Sequence, residues 1–237
     1  TPAEQVYAQI VKDLTEAETV LPARYTANLE IGKATSGAAK ALLGKVYLTR
    51  RQYAQAAAKL KEVLDASIYQ LLPRYADVFA PTNGNNAEIV FAVQYAKGGV
   101  GEGSQFANRF VPQQSGNTIV TVGTPFGYNL GTPDLERSFT TGDTRKDITI
   151  AQYRANDGTI IRYTRKYLDT PTATNDAEND WIVLRYADVL LMYAEALNEQ
   201  GQTAAALPLL NQVRSRAGLA ALGGLTDAQA RLAIETD

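Results

Sequence analysis

Residues 37–64 read GAAKALLGKVYLTRRQYAQAAAKLKEVL, and residues 185–213 read RYADVLLMYAEALNEQGQTAAALPLLNQV. Both stretches carry one pattern, and it aligns without a gap. Gly44, Tyr47, Ala56, Leu60 and Val63 in the first correspond to Ala194, Leu197, Ala206, Leu210 and Val213 in the second, each pair 150 positions apart. A small residue followed three positions on by a large one shares one face of a helix. The small-large-large set that follows shares one face of the next helix. Small residues let two helices approach closely, and large ones fill the seam between them. The pattern therefore predicts two helical hairpins of one kind, separated by a long stretch of different character.

Repeated hairpins of this spacing carry a tetratricopeptide-type signature. Such hairpins scaffold a binding surface and rarely carry chemistry themselves. Upstream of the first copy, Thr1-Pro2-Ala3-Glu4 reads as a helix start, with Thr1 as cap, Pro2 at the first helical position and Glu4 completing a capping box. Val6, Ile10, Leu14, Ala17 and Leu21 follow at helical spacing, and Pro22 closes the segment. A polar loop through Gly32 leads to Thr35 or Ser36 as the next cap, and helices are expected over about 36–50 and 53–66. A further turn of helix is expected around Tyr75–Phe79.

The character changes at Pro81. Residues 81–180 hold 11 of the 18 Gly and 9 of the 12 Asn, which marks them as loop-rich. Glu88–Val93 reads as a strand, as do Ile148–Tyr153 and Ile160–Tyr163 around an Asn156-Asp157-Gly158 turn. Helical character is expected from near Leu184 to about Ala217, with Gly218 as the stop. A last amphipathic segment begins after Thr226.

Composition removes whole classes of function. The chain has 237 residues, 45% of them apolar, enough to bury a sizeable core. Its net charge of −2, without long runs of either sign, speaks against nucleic acid, whose binding rests on Lys/Arg contacts to phosphate. No apolar run approaches the length of a membrane span. His and Cys are both absent, which excludes Ser-His-Asp and Cys-His nucleophiles, His- or Cys-ligated metals and disulfides. No cofactor is expected.

An ordered set of blocks resembles the SusD/RagB family of outer-membrane nutrient-binding lipoproteins. TPAEQVYAQIVKDLTEAETVLP at residues 1–22 is similar to the helix that precedes that family's core. ATSGAAKALLGKVYLTRRQYAQAAAKLKEVLDASIYQLLP from Ala34, Tyr75–Phe79 and Asn86–Phe91 follow in the family's order. Thr132-Pro133-Asp134-Leu135 with Phe139, Gly142-Asp143 and Arg145 resembles its mid-chain element. Leu184–Leu219, LRYADVLLMYAEALNEQGQTAAALPLLNQVRSRAGL, resembles its most recognisable stretch. Members are about twice this length and begin with a lipoprotein signal and an acylated Cys, so the resemblance implies an internal portion of a longer precursor. It implies a non-catalytic protein, lipid-anchored at the cell surface in the full-length precursor. That protein captures oligosaccharide or polysaccharide, in some members peptide, and passes it to a SusC-type TonB-dependent transporter.

Sugar binding needs flat aromatic faces for the apolar side of the ring and planar amide or guanidinium groups for its hydroxyls. Gln105–Phe110 supplies both through Phe106, Asn108, Arg109 and Phe110, and Phe126–Asn129 supplies a second set through Tyr128 and Asn129. Both lie in Gly-rich loops, where binding residues concentrate. The competing reading is that Phe106, Phe110 and Phe126 tuck under the loops as a satellite core. Trp181, the single Trp, offers a sugar platform. It stands just before Leu184–Asp188, where the SusD/RagB family usually has an apolar residue leading into a helix, so the resemblance favours a structural role. Asp188 and Glu195 share a helical face roughly 10.5 Å apart along the axis. That is beyond the roughly 6.5–9.5 Å of an inverting carboxylate pair, so with Arg185 they read as groups tying the helix to its neighbours. Gly142-Asp143-Thr144-Arg145 reads as a turn braced by an ion pair. Gly98–Gly103 lacks the context of a phosphate loop and reads as a flexible loop.

The sequence thus predicts a mostly α protein with tetratricopeptide-like helical hairpins (an α-α superhelix) and a loop-rich insert carrying short β-strands. Residues 1–80 form the helical part with the first hairpin, 81–180 the insert with the ligand surface, and 181–237 the second hairpin and a final helix, all in one SusD-like domain. The expected role is glycan capture without catalysis. A peptide-binding relative and a protein-interaction scaffold are the alternatives.

Overall fold

The computed structural model describes residues 2–27 and 30–237; Thr1, read as a cap, and the Asn28-Leu29 part of the polar loop lie outside them. The chain divides into two compact units. The first comprises Thr1–Leu72, Asn85–Ala92 and Ile182–Asp237, and the second Pro73–Gly84 and Val93–Trp181.

The first unit is helical. Helix α1 (Ala3–Val20) runs along α2 (Ser36–Thr49), which forms a hairpin with α3 (Tyr53–Asp65); α8 (Tyr186–Asn198) and α9 (Thr203–Arg216) form the second hairpin, and α10 (Asp227–Thr236) packs on it. The expected repeat is real in detail. Arg51 and Gly201, 150 positions apart, both take left-handed backbone, with φ of +56° and +71°. The amides of Gln52 and Gln202 then close the turns on the carbonyls of Tyr47 and Leu197, at 2.8 and 3.0 Å. Ala56, Leu60, Val63, Ala194, Ala206, Leu210 and Val213 are all buried. Gly44 shows why a small residue is required: a Cβ there would stand 2.6 Å from Cγ of Leu60.

Thr35 caps α2, its hydroxyl accepting from the Ala38 amide at 3.2 Å, and Thr226 with Gln229 forms a capping box on α10. Among the described residues no side chain caps α1, whose N-cap is Pro2; Glu4 pairs with Arg50. No residue of α1 is fully buried, so it rests on α2 through the half-buried face of Ile10, Leu14 and Ala17. Gly218 ends the second hairpin as expected, at φ +78°.

The expected start of the second hairpin's first helix is corrected. Residues 181–185 are a strand, β4 (Trp181–Arg185), and α8 starts only at Tyr186. Trp-Ile-Val-Leu carries β-branched and aromatic side chains that suit a pleated surface, and β4 pairs with β1 (Ile89–Val93). Between them and α9 lies a buried ionic knot. Glu88 is fully buried, and Arg216 Nη1 donates to its Oε1 and Oε2 at 3.1 and 2.8 Å. Arg185 Nη1 and the Leu72 amide complete the set, at 3.4 and 2.9 Å. Arg185 and Asp188 act as helix ties: Asp188 accepts from the Arg185 amide at 2.9 Å and caps α8.

The second unit contains short helical turns, among them α4 (Tyr75–Val78), α5 (Phe106–Arg109), α6 (Pro133–Ser138) and α7 (Lys146–Thr149), and one hairpin. In that hairpin β2 (Ile150–Arg154) runs antiparallel to β3 (Ile160–Thr164), Ile150 opposite Thr164 and Arg154 opposite Ile160. Its turn is the expected one, with Gly158 at φ +87°. The strand expected to open this hairpin is Ile148–Tyr153, but Lys146–Thr149 makes a helical turn and β2 starts at Ile150. Asp143 accepts from Arg145 Nη2 at 2.7 Å and from the Arg145 amide at 2.9 Å, the brace predicted for that turn. The Gly98–Gly103 loop is pinned rather than loose. Amides of Gly98 and Gly99 both donate to Asp176 at 3.0 Å, so a carboxylate of the chain already occupies the place an anion would take. No helix among the described residues is long and apolar enough to cross a membrane.

Candidate functional site

The two loop clusters singled out in the sequence lie together in the second unit because their backbones are zipped. The amides of Phe126, Gly127 and Tyr128 donate to the carbonyls of Asn108, Val111 and Arg109, at 3.1, 2.9 and 2.7 Å. Below this zipper Val111 and Val120 pack with Tyr163 of β3, and Ile119, Tyr153 and Leu168 close over them. The Gly131 amide donates to the Arg162 carbonyl at 3.1 Å, and the Thr164 hydroxyl to the Asn129 carbonyl at 2.9 Å, fastening the end of the loop to the hairpin. The β2–β3 hairpin is thus the platform on which the loops are laid.

The six candidate residues have different fates. Asn108 is 1% exposed. Its amide nitrogen donates to the Val122 carbonyl at 2.9 Å and its oxygen accepts from the Asn175 amide at 2.8 Å. It brackets three loops, and both ends of its amide are committed to backbone. Gly123 is pressed on the same bracket: a Cβ there would come within 2.7 Å of Asn108 Nδ2. Phe106 and Phe110 are half-buried in a cluster of rings. Phe106 lies 5.6 Å from Tyr95, 5.3 Å from Phe110, 5.5 Å from Tyr167 and 4.9 Å from Trp181, centroid to centroid. Tyr167, buried at its centre, stacks on Trp181 at 5.3 Å with 18° between planes.

Arg109, Tyr128 and Asn129 remain toward solvent. Tyr128 is 53% exposed and lies 5.7 Å from Phe126. The Arg109 guanidinium sits against both rings, 6.0 Å from the Phe126 centroid and 5.9 Å from that of Tyr128. Asn129 is exposed and takes a left-handed backbone, φ +50°, which Asn tolerates better than most residues. The surface so formed presents an aromatic ring beside a guanidinium, with the exposed Asn129 next to Tyr128 in the chain, groups of the kinds that sugar recognition needs.

Sequence reasoning did not find Tyr95 or Tyr167, which come from distant segments and carry no spacing signal. Asp180, next to Trp181, accepts from the Tyr95 amide at 2.9 Å, and burial pushes its carboxyl above the usual carboxylate range. Among the described residues no group of His, Cys, Asp and Glu is arranged to hold a metal ion. Glu195, the other half of the carboxylate pair considered above, is half-buried in α8. Its carboxyl is raised by that burial and by the charges of Glu199 and Glu235. A separate cavity of about 350 Å³ in the first unit is lined by Tyr25, Tyr69 and Phe91, among others, and contains none of the predicted residues.

The molecule so described is a helical-repeat protein carrying an inserted, loop-built unit with an aromatic surface. A model of the SusD family matches residues 121–234. A SusD-like protein of Formosa agariphila is 27% identical over 254 residues, covering 92% of this chain and 48% of that protein. A SusD-like protein from Bacteroides fragilis superposes with a TM-score of 0.83 at 25% identity, over 100% of this chain and 57% of that one. A laminarin-binding SusD-like protein superposes with a TM-score of 0.79 at 27% identity, over 100% of this chain and 60% of its own. The chain belongs to the SusD/RagB family. It spans about half the length of the curated relatives it matches.

Proposed function

We propose that the chain is the glycan-holding portion of a non-catalytic surface protein. Oligosaccharide or polysaccharide is captured on the loops of the second unit and delivered to a SusC-type TonB-dependent transporter. The observation that carries this reading is the exposed Tyr128 ring with Arg109 and Asn129 beside it, on loops fixed by the Asn108 bracket. The likeness to a laminarin-binding relative supports it. A pyranose lays its C–H face on the tyrosine ring while its hydroxyls bond to the amide and guanidinium. Each hydroxyl exchanges water for protein at small net gain, so single sites are weak and several sugar units are read together. The helical hairpins form the face that docks the transporter. In the full-length precursor the protein is lipid-anchored at the outer-membrane surface.

The test is binding of the purified chain to a panel of soluble polysaccharides and mixed oligopeptides, by affinity retardation and calorimetry. Retention by a glycan class, lost at least about tenfold in Tyr128→Ala, is expected. A largely exposed tyrosine changes stability by only about 0.5 kcal/mol, so its melting temperature should hardly move. Binding of peptides alone, or of nothing by a folded chain, refutes glycan capture.

A further inference from the structure

Arg109 is the one charged residue between Gly103 and Pro133, in a chain where 20% of residues are charged. Among the described residues its guanidinium has no acceptor. Among the described residues of the second unit, the other six arginines all donate, four to carboxylates and two to backbone carbonyls. No carboxylate of the described residues lies in ion-pair reach of Arg109, and its Nε is buried without a partner among them. The group is nevertheless held in place, against the rings of Phe126 and Tyr128.

A buried N–H without an acceptor is costly, and so is a partly buried charge that no carboxylate balances. The unpaired charge is relieved if an anion arrives with a ligand at the outer Nη1 and Nη2 edge, which no group of the described residues engages. A guanidinium is a planar fork that matches two oxygens of a carboxylate or sulfate, and bonds to such anions are about twice as strong as those to neutral hydroxyls. Its place against two rings means that less side-chain freedom is lost when the anion binds.

Resting on the glycan-capture reading, we propose that the Arg109–Phe126–Tyr128 surface selects glycans bearing an acidic group, a uronate carboxylate or a sulfate ester, over neutral ones. Tyr128 takes the apolar face of the sugar and Arg109 takes the acid.

The test is calorimetry of the chain with oligogalacturonate and its carboxyl-reduced form, with carrageenan oligosaccharide and its desulfated form, and with neutral laminarin oligosaccharide. At least one acidic ligand is expected to bind about tenfold or more tightly than its neutralised counterpart. Which acid does so names the carboxylate or the sulfate as the source. The preference should weaken as salt rises, disappear in Arg109→Met, and survive in part in Arg109→Lys, which keeps the charge and loses the fork. If Arg109→Met melts early, Arg109→Lys and the salt series carry the test. Equal binding of each acidic ligand and its neutral form overturns the acidic preference while leaving glycan capture standing. A preference that persists in Arg109→Met overturns the role of Arg109. Failure to bind any glycan refutes both readings.

Discussion

The two units hold themselves together by different means. In the helical unit the fully buried residues are mostly Ala, Leu and Val, set at helical spacing, with Glu88, Asn198 and Thr203 as the polar exceptions. In the loop unit Ser104, Asn108, Ser115, Asp143, Asp176 and Asn179 are buried as well. There side chains take over the hydrogen-bonding work that a regular ladder does elsewhere: Asn179 donates to the Tyr167 carbonyl at 3.0 Å, and Ser115 to that of Pro112 at 2.7 Å. Apolar packing tolerates small changes in volume, whereas a buried polar bracket fails when one partner is lost. A surface that must present Arg109 and Tyr128 in fixed positions gains from the second kind of construction.

The largest effect is expected where the helical unit departs from its own rule. Glu88→Ala removes the carboxylate that Arg216 and Arg185 share, and should cost about 3–5 kcal/mol in urea denaturation followed by circular dichroism. A loss under 1 kcal/mol would mean that the apolar hairpins alone carry the unit.

Next comes the bracket of the loop unit. Asn108→Ala strands the Val122 carbonyl and the Asn175 amide, and should cost about 1–3 kcal/mol. It should also weaken glycan binding, although its side chain is buried. Loss of stability with undiminished binding would show that the bracket does not position the site.

The two hairpins can be compared with each other. Arg51 takes the left-handed conformation that Gly201 supplies at the matching turn. Arg51→Gly should stabilise the chain by about 0.5–1 kcal/mol, a rise in melting temperature of about 2–3 °C. No rise would mean that the turn stores no strain.

The smallest effect is local and set by pH. Asp176 lies below the usual carboxylate range because the Thr172 hydroxyl and the amides of Gly98 and Gly99 donate to its charged form, against a smaller effect of burial. A carboxylate lowered in this way stabilises the fold above the ordinary range, and the contribution fades as pH falls through the lowered value. Protection of the Gly98 and Gly99 amides from hydrogen exchange should therefore hold from neutral pH to about pH 5 and fall below about pH 4. Protection that is already lost at neutral pH would return that loop to a flexible one.

What the sequence alone determined is the helical framework. Helix hydrogen bonds close within four residues, and one face repeats every few positions, so Gly44 with Leu60 and Ala194 with Leu210 announce their packing locally. The β2–β3 hairpin was legible for the same reason, since its turn lies inside the stretch that forms it. The strand at 181–185 was not, because its partner, β1, lies some 90 positions earlier in the chain, and a short apolar run reads equally well as the start of a helix. Within the loops, residue type marked the right segments and could go no further. Asn108 and Arg109 are adjacent, yet one is sealed under the loops and the other is set against open rings. That choice rests on Val122 and on Asn175, 67 positions away. A loop side chain has no periodic face to assign it inward or outward, so only the tertiary partners decide which residues meet a ligand.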